Sequence, residues 1–193
     1  MSCRFWIKVV IVFFFTAMTL NSQQMTHGAF AAPVLKNTSL LGQYSALTGA
    51  RVGWIINETY VIGGAFYALA NHVKPNYTDP DNPGSYSLDF NCGGLEFEVV
   101  YPSEKYLHGS FILFLGGGGG KFRHENPKGV SPYGFSLLVW EPQLNLEMNL
   151  LEWLHLNAGV SYRFINGFDN YYGLTPDDLK GISGVVSLKF GSY

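Results

Sequence analysis

From Leu138 to Leu150 the chain alternates with a period of two. Leu138, Trp140, Pro142, Leu144, Leu146, Met148 and Leu150 fall on one parity, and Glu141, Gln143, Asn145, Glu147 and Asn149 on the other. Successive side chains of a strand point to opposite faces, so this stretch has one oily face and one wet face. The next segment repeats it, with Leu154, Leu156, Ala158, Val160, Tyr162 and Phe164 against His155, Asn157, Gly159, Ser161 and Arg163. Leu95, Phe97, Val99 and Tyr101 against Gly94, Glu96 and Glu98 make a third, and Ala50, Val52, Trp54 and Ile56 against Gly49, Arg51 and Gly53 a fourth. An all-β fold follows, with every sheet burying one face.

Which face meets water is the next question. Charged residues make up 13% of the chain and aromatics 16%, against about 25% charged in an average soluble domain. The polar parity is sparse, and several strands reach the roughly ten residues that cross a bilayer when tilted. An apolar outside around a polar inside fits this better than a soluble barrel, whose outside would carry the charge. The linkers agree. Asn57-Glu58, Pro102 to Lys105 and Leu151 to Trp153 are short, whereas Asn71 to Ser85, His124 to Pro132 and Gly167 to Lys180 are long. Short turns at one end and longer loops at the other are the plan of a transmembrane barrel.

Counting back from the C-terminus, strands are expected near 182–190, 154–166, 134–149, 106–122, 86–101, 59–71 and 44–56. Both termini on one side require an even number. The weakly alternating Ala29 to Thr38 supplies the eighth, giving an eight-stranded antiparallel up-and-down transmembrane β-barrel.

The N-terminus indicates export. Arg4 and Lys8 precede the apolar run Val9 to Leu20, which has the plan of a signal peptide and falls short of the roughly 20 residues of a spanning helix. Residues 1–22 are read as the signal and 23–193 as the barrel, with cleavage after Ser22 and a competing site after Ala31. Cys3 precedes the apolar run, so it is no lipid acceptor at the cut. Cys92 remains as a lone cysteine without an internal disulfide partner. The net charge of −2 provides no basic patch for nucleic acid, and no histidine, cysteine or carboxylate spacing suggests a metal site. No cofactor is expected.

LGGGGGKFR, Leu115 to Arg123, invites comparison with a phosphate-binding loop. That motif requires a hydroxyl after its lysine and a helix beyond, and Lys121 is followed by Phe122 and Arg123 with no helical pattern. Glycines opposite bulky groups, or at a sharp bend of a barrel strand, are the structural reading.

The inward parity assembles a lumenal polar network of Arg51, Glu96, Glu98, His108, Glu141, Gln143, Glu147, Arg163 and Lys189. Charges in so narrow a space must pair, which predicts a plugged interior; a narrow cation-preferring pore is the alternative. Trp54, Tyr101, Trp140, Trp153 and Tyr162 can supply interfacial aromatics. Ile182, Gly184, Val186, Leu188 and Phe190 share a face, resembling the terminal strand recognised by the barrel-assembly machinery; Tyr193 falls on the opposite parity, so either Phe190 is the signal or a bulge realigns Tyr193.

With these residues the mature chain resembles the small outer-membrane β-barrel proteins of OmpA-transmembrane-domain or opacity type. Gly49 to Tyr67 and Glu141 to Gly167 are similar to small barrels of Bacteroidota-like bacteria. The resemblance implies a bacterial outer-membrane location among its lipids, and little about activity. A structural or surface-interaction role follows, with the aromatic and acidic loops 74–85 and 167–180 as contact surfaces for a surface ligand. One enzymatic alternative stands beside it. His108-Gly109-Ser110 resembles the site of lipid A deacylases of PagL type, where a histidine would take the serine proton, although in this register His108 lies near the periplasmic turn. A soluble periplasmic barrel with an apolar ligand is the third reading.

Overall fold

A computed structural model describes residues 26–75, 84–101, 106–124 and 134–192. The expected signal peptide, Tyr193, most of loop 74–85, the linker 102–105 and the breaker segment 126–132 lie outside the described residues.

Eight strands follow in order: β1 (His27–Leu40), β2 (Gln43–Ile56), β3 (Tyr60–Leu69), β4 (Tyr86–Tyr101), β5 (Leu107–His124), β6 (Phe135–Leu151), β7 (Leu154–Asn166) and β8 (Gly181–Ser192). Each pairs antiparallel with its chain neighbours, and β1 also pairs with β8, closing the barrel. Closure leaves no open sheet edge, the condition under which strands can cross hydrocarbon.

β1 is longer than expected. Ala31, the competing cleavage site, sits inside it, and its burial alternates without a break from His27 to Leu40. The sequence hides this because the outward residues Ala29, Ala31 and Pro33 are small, which flattens the hydropathy contrast with inward Phe30, Ala32 and Val34. Two strand prolines leave their mark on the ladders. The β1–β8 register skips Ala32 and Pro33 between Ala31↔Phe190 and Val34↔Ser187. The β6–β7 register skips Glu141 and Pro142 between Trp140↔Phe164 and Gln143↔Ser161. A proline has no N–H to donate, so each ladder is interrupted without changing register.

Antiparallel order puts both ends of the barrel sequence beside the turns after β2, β4 and β6, here called the turn end. The connections after β1, β3, β5 and β7 form the loop end. One of these is short: β1 and β2 join through Leu41 and Gly42 at φ of 53° and 70°, the two positive dihedrals of a type I′ hairpin. Asn57 and Glu58, at φ of 51° and 54°, make the tight turn expected between β2 and β3.

Facing out are large apolar side chains such as Val52, Trp54, Leu95, Leu144, Val160 and Ile182, all more than 40% exposed. Such a band is unfavourable in water and suits hydrocarbon. The glycine run lies within β5, its odd members outward and its even members inward. A Cβ on Gly118 would stand 2.1 Å from the Asn91 carbonyl oxygen and 2.7 Å from Cys92 Cα, so β4 and β5 approach as closely as only glycine permits. Gly184, by contrast, has nothing within 4 Å of such an atom. Gly118→Ala is expected to destabilise the barrel by about 1–3 kcal/mol through this backbone overlap, whereas Gly184→Ala stays within about 0.5 kcal/mol of the parent; urea unfolding in detergent micelles, read by tryptophan fluorescence, compares the two.

Candidate functional site

Inward alternation brings the charged side chains of six strands into one lumen. Arg51 on β2 donates from Nε to Glu96 at 2.7 Å and from Nη2 to Glu98 at 2.9 Å, both on β4. Lys189 on β8 reaches Glu98 at 3.0 Å and Glu147 on β6 at 2.5 Å. The chain of contacts extends at one end to the Tyr67 hydroxyl, which donates to Glu96 at 2.8 Å, and at the other to His155 Nδ1, 2.6 Å from Glu147. A second group joins Lys36 on β1 to Glu141 at 2.5 Å, with the Ser161 hydroxyl on the same carboxylate oxygen at 2.6 Å. The Lys36 ammonium also lies 4.0 Å from the Tyr67 ring centre, where the ring face attracts a cation.

Among the described buried residues, Glu96, Glu98, Glu141 and Glu147 face Lys36, Arg51, Arg163 and Lys189, so the fixed charges balance. Arg163 differs from the other cations. Its Nε donates to the Leu179 carbonyl at 2.9 Å and its Nη2 to the Thr38 hydroxyl at 3.3 Å, with Glu141 acting on it only at longer range. Gln143 donates to Asn145 at 2.7 Å.

The loop-end half of the lumen departs from the polar interior expected of it. Leu40, Leu47, Phe90, Phe122, Leu137 and Ile165 form an apolar cluster there, and a smaller one, Phe30, Ala32, Ile55 and Val61, floors the turn end. The cause is local. Near their loop ends the inward parities of β4 and β6 carry Leu88, Phe90, Leu137 and Val139 in place of the glutamates found further down, and β5 adds Phe122 on the parity that carries Ser110 near its other end.

The segment after β7 closes over this cluster. Loop 167–180 is expected to present a contact surface, yet Tyr171, Leu174 and Leu179 turn into the barrel mouth and are buried, leaving Asp169, Asn170, Tyr172 and Asp177 exposed. A 3-10 turn, Pro176–Leu179, carries Leu179 inward, and its Asp178 carboxylate accepts from the Thr175 N–H at 2.8 Å and hydroxyl at 2.7 Å. Leu41 of the first hairpin donates its N–H to the Asp178 carbonyl at 2.8 Å. Burial raises the Tyr171 phenol above its ordinary range, because the phenolate is poorly solvated there.

His108 and Ser110 lie on one parity of β5 with separate partners. Ser110 is buried inside the barrel, where it hydrogen bonds Glu98 and accepts from Asn145 Nδ2 at 3.4 Å. His108 Nε2 stands 3.0 Å from Asn149 Nδ2, and no hydrogen bond joins it to the serine. A nucleophile needs its base within hydrogen-bond reach. Cys92 is buried with a free thiol, and no group of three metal-ligating side chains occurs among the described residues.

Trp54, Tyr101 and Trp153 stand outward near the turn end, Trp153 beside Phe190 at a ring separation of 6.2 Å. Trp140 and Tyr162 lie outward toward the loop end, and Trp140 stacks on Phe164 at 3.7 Å. β8 runs to Ser192, with Phe190 outward and opposite Ala31.

Lys36, Tyr67, His155 and Ser161 belong to the network although the sequence reading left them out of it. His155 and Ser161 share the polar parity of Arg163 on β7, which is the available signal. Lys36 shares the inward parity of Val34 and Thr38, but β1 alternates too weakly to show it. Tyr67 is an aromatic with one polar atom, and only the fold brings that atom to Glu96. Lys36→Met is expected to cost about 3–5 kcal/mol, since it strands Glu141 as an uncompensated charge; adding Glu141→Leu should restore most of that loss, as measured by denaturant unfolding of the two variants in micelles.

No protein-family model matches the chain, and no curated protein sequence matches it. Solved structures do. Neisserial surface protein A aligns with a TM-score of 0.62 at 12% identity, over 88% of this chain and 99% of that one. The N-terminal β-barrel domain of Pseudomonas aeruginosa OprF aligns with a TM-score of 0.59 at 9% identity, over 87% and 99%. Ail, the attachment invasion locus protein of Yersinia pestis, solved in complex with the heparin analogue sucrose octasulfate, aligns with a TM-score of 0.53 at 14% identity, over 86% and 97%. The chain has the fold of the small eight-stranded outer-membrane β-barrels.

Proposed function

We propose that this protein sits in the bacterial outer membrane as a plugged, non-catalytic barrel, with a structural or surface-interaction role carried by its loop end. The observation that carries this reading is the filled lumen: paired charges occupy its middle, and an apolar cluster sealed by Tyr171, Leu174 and Leu179 occupies its mouth. Eight-stranded barrels have interiors just wide enough for side chains to fill, and a balanced, hydrogen-bonded set of charges gives an ion no vacant site. The turn end faces the periplasm and the loop end faces out, as the distribution of short and long connections supports.

The contact surface is the exposed part of loop 167–180, namely Asp169, Asn170, Tyr172 and Asp177, together with loop 74–85, whose sequence contributes Asp79 and Asp81. This acidic surface disfavours a polyanion of the kind bound to Ail, and favours a basic or neutral partner. Exported by its signal peptide, the chain would be inserted by the barrel-assembly machinery through β8, with Phe190 as the terminal aromatic. Trp54, Tyr101 and Trp153 would anchor the inner interface, and Trp140 and Tyr162 the region toward the outer one.

Host membranes fractionated and run boiled and unboiled should place the protein in the outer membrane with a heat-dependent mobility shift. Tyr172→Cys should react with a membrane-impermeant maleimide on intact cells. In planar bilayers the protein should give no steady conductance, and lipopolysaccharide should emerge unaltered from incubation with it. A stable ohmic current would reinstate the cation-preferring pore. Deacylation lost in Ser110→Ala would reinstate the hydrolase.

A further inference from the structure

We propose that the loop end holds a site for one neutral sugar residue of a surface glycan, stacked on Tyr172 in a hollow between the first hairpin, Lys74 and the turn at Tyr172-Gly173. The inference rests on the surface-interaction reading above and names a ligand class for it.

Three separate stretches of chain enclose this hollow of about 310 Å³, whose lining includes Leu41, Gln43, Lys74, Tyr172, Leu174 and Asp178. They are pinned to one another. The Gln43 side chain donates from Nε2 to the Lys74 carbonyl at 2.7 Å and accepts the Lys74 N–H on Oε1 at 3.2 Å. Leu41 ties the first hairpin to the Asp178 carbonyl at 2.8 Å. Tyr171 and Leu174, both buried, exchange backbone hydrogen bonds of 2.8 and 2.9 Å, and the Asn170 side chain accepts the Gly173 N–H at 2.8 Å. The walls are therefore set before a ligand arrives, which lowers the ordering cost of binding.

Two residues of the lining are unusual for their backbone. Leu41 and Tyr172 have φ of 53° and 50° and are followed by Gly42 and Gly173 at 70° and 87°. Each opens a two-residue turn whose first position favours asparagine, aspartate or glycine. Folding alone would be served better by those residues at both places. Strained positions cluster at ligand sites, where the side chain displayed compensates for the conformation. Here Leu41 contributes to the base of the hollow, and Tyr172, 54% exposed, stands at its edge.

The chemistry selects a compact, neutral, polar ring. An aromatic face carries negative charge density that attracts polarised C–H groups, which a pyranose presents on one side. Its hydroxyls need donors and acceptors together. Lys74 is exposed and makes no ion pair among the described residues, and Asp178, held through Oδ2 by Thr175, has Oδ1 as an acceptor. One cation against one carboxylate leaves the lining without net charge, while exposed Asp169 and Asp177 on the same segment oppose a sulfate or a sialic acid. An extended peptide would gain its backbone hydrogen bonds from an open strand edge, and the closed sheet offers none there. The hollow lies at the small end of ligand sites, which begin near about 300 Å³, so it suits a single ring.

A glycan array of neutral, sialylated and sulfated oligosaccharides, with oligolysine spotted beside them and the protein carried in lipid nanodiscs, tests this. Neutral structures should be bound in preference to both anionic classes. Tyr172→Asn removes the ring and gives the turn a residue it favours, so the variant should keep its heat-dependent mobility and lose at least about tenfold in neutral-glycan signal. Lys74→Met should weaken the signal severalfold, and Tyr106→Ala at the turn end should leave it unchanged. Binding confined to sialylated or sulfated structures, an undiminished signal from Tyr172→Asn, or no saccharide bound overturns the inference. Oligolysine bound in the absence of any saccharide would overturn the sugar while leaving the acidic contact surface standing. Failure of Tyr172→Cys to label on intact cells would instead overturn the surface reading itself, whatever the array gives.

Discussion

Pairing of charge inside the barrel is the interaction on which the remaining architecture rests. Four carboxylates and four permanent cations point into one narrow space, and each would be strongly destabilising alone. They are tolerable because antiparallel register sets β2 beside β4 through β3, and β8 beside β6 through β7, so that Arg51 meets Glu96 and Glu98 while Lys189 meets Glu98 and Glu147. A one-residue slip of any of these strands would turn its charges to the lipid and its leucines to the lumen. The network therefore selects the register as much as it stabilises it.

Much of the fold was legible in the amino-acid order because a membrane barrel is written as alternation. β6 and β7 announce themselves by long parities of leucine against glutamate, asparagine and serine, and β4 and β7 begin and end where periodicity places them. β1 was hard to read for a physical reason: its outward residues are small, so a complete burial alternation produces little hydropathy contrast. The two-residue hairpin after it was missed for another. Leu41 is no usual occupant of a positive-φ position, and Gly42 alone is a weak turn signal.

The site was legible in part. Parity identifies which side chains share the lumen, and it named Arg51, Glu96, Glu98, Glu141, Glu147 and Lys189, which are found in ion pairs. It does not identify partners, because these depend on strand stagger and side-chain reach. Lys36 and Tyr67 join the network only through the fold, which brings them to Glu141 and Glu96. Nor does parity separate a polar lumen from one that turns apolar near its mouth, since Phe90 and Leu137 share the inward parity of the glutamates below them on β4 and β6. Loop 167–180 looked like exposed aromatic sequence, and its fate was decided by whether the cluster beneath it had room for Tyr171, Leu174 and Leu179.

Pro33 has an effect beyond its own missing donor. The ladder it interrupts is the one between the first and last strands, the only pairing in the barrel that joins residues from opposite ends of the sequence. Every other ladder can form between consecutive strands as soon as both exist, whereas this one must await the whole chain and bears the largest loop-closure entropy. The gap at that seam, beside the small outward side chains of Ala29 and Ala31, falls in the one ladder that closes only when both ends of the barrel sequence are present. The join of the cylinder is thereby hydrogen-bonded in two short runs, on either side of the interruption between Ala31 and Val34.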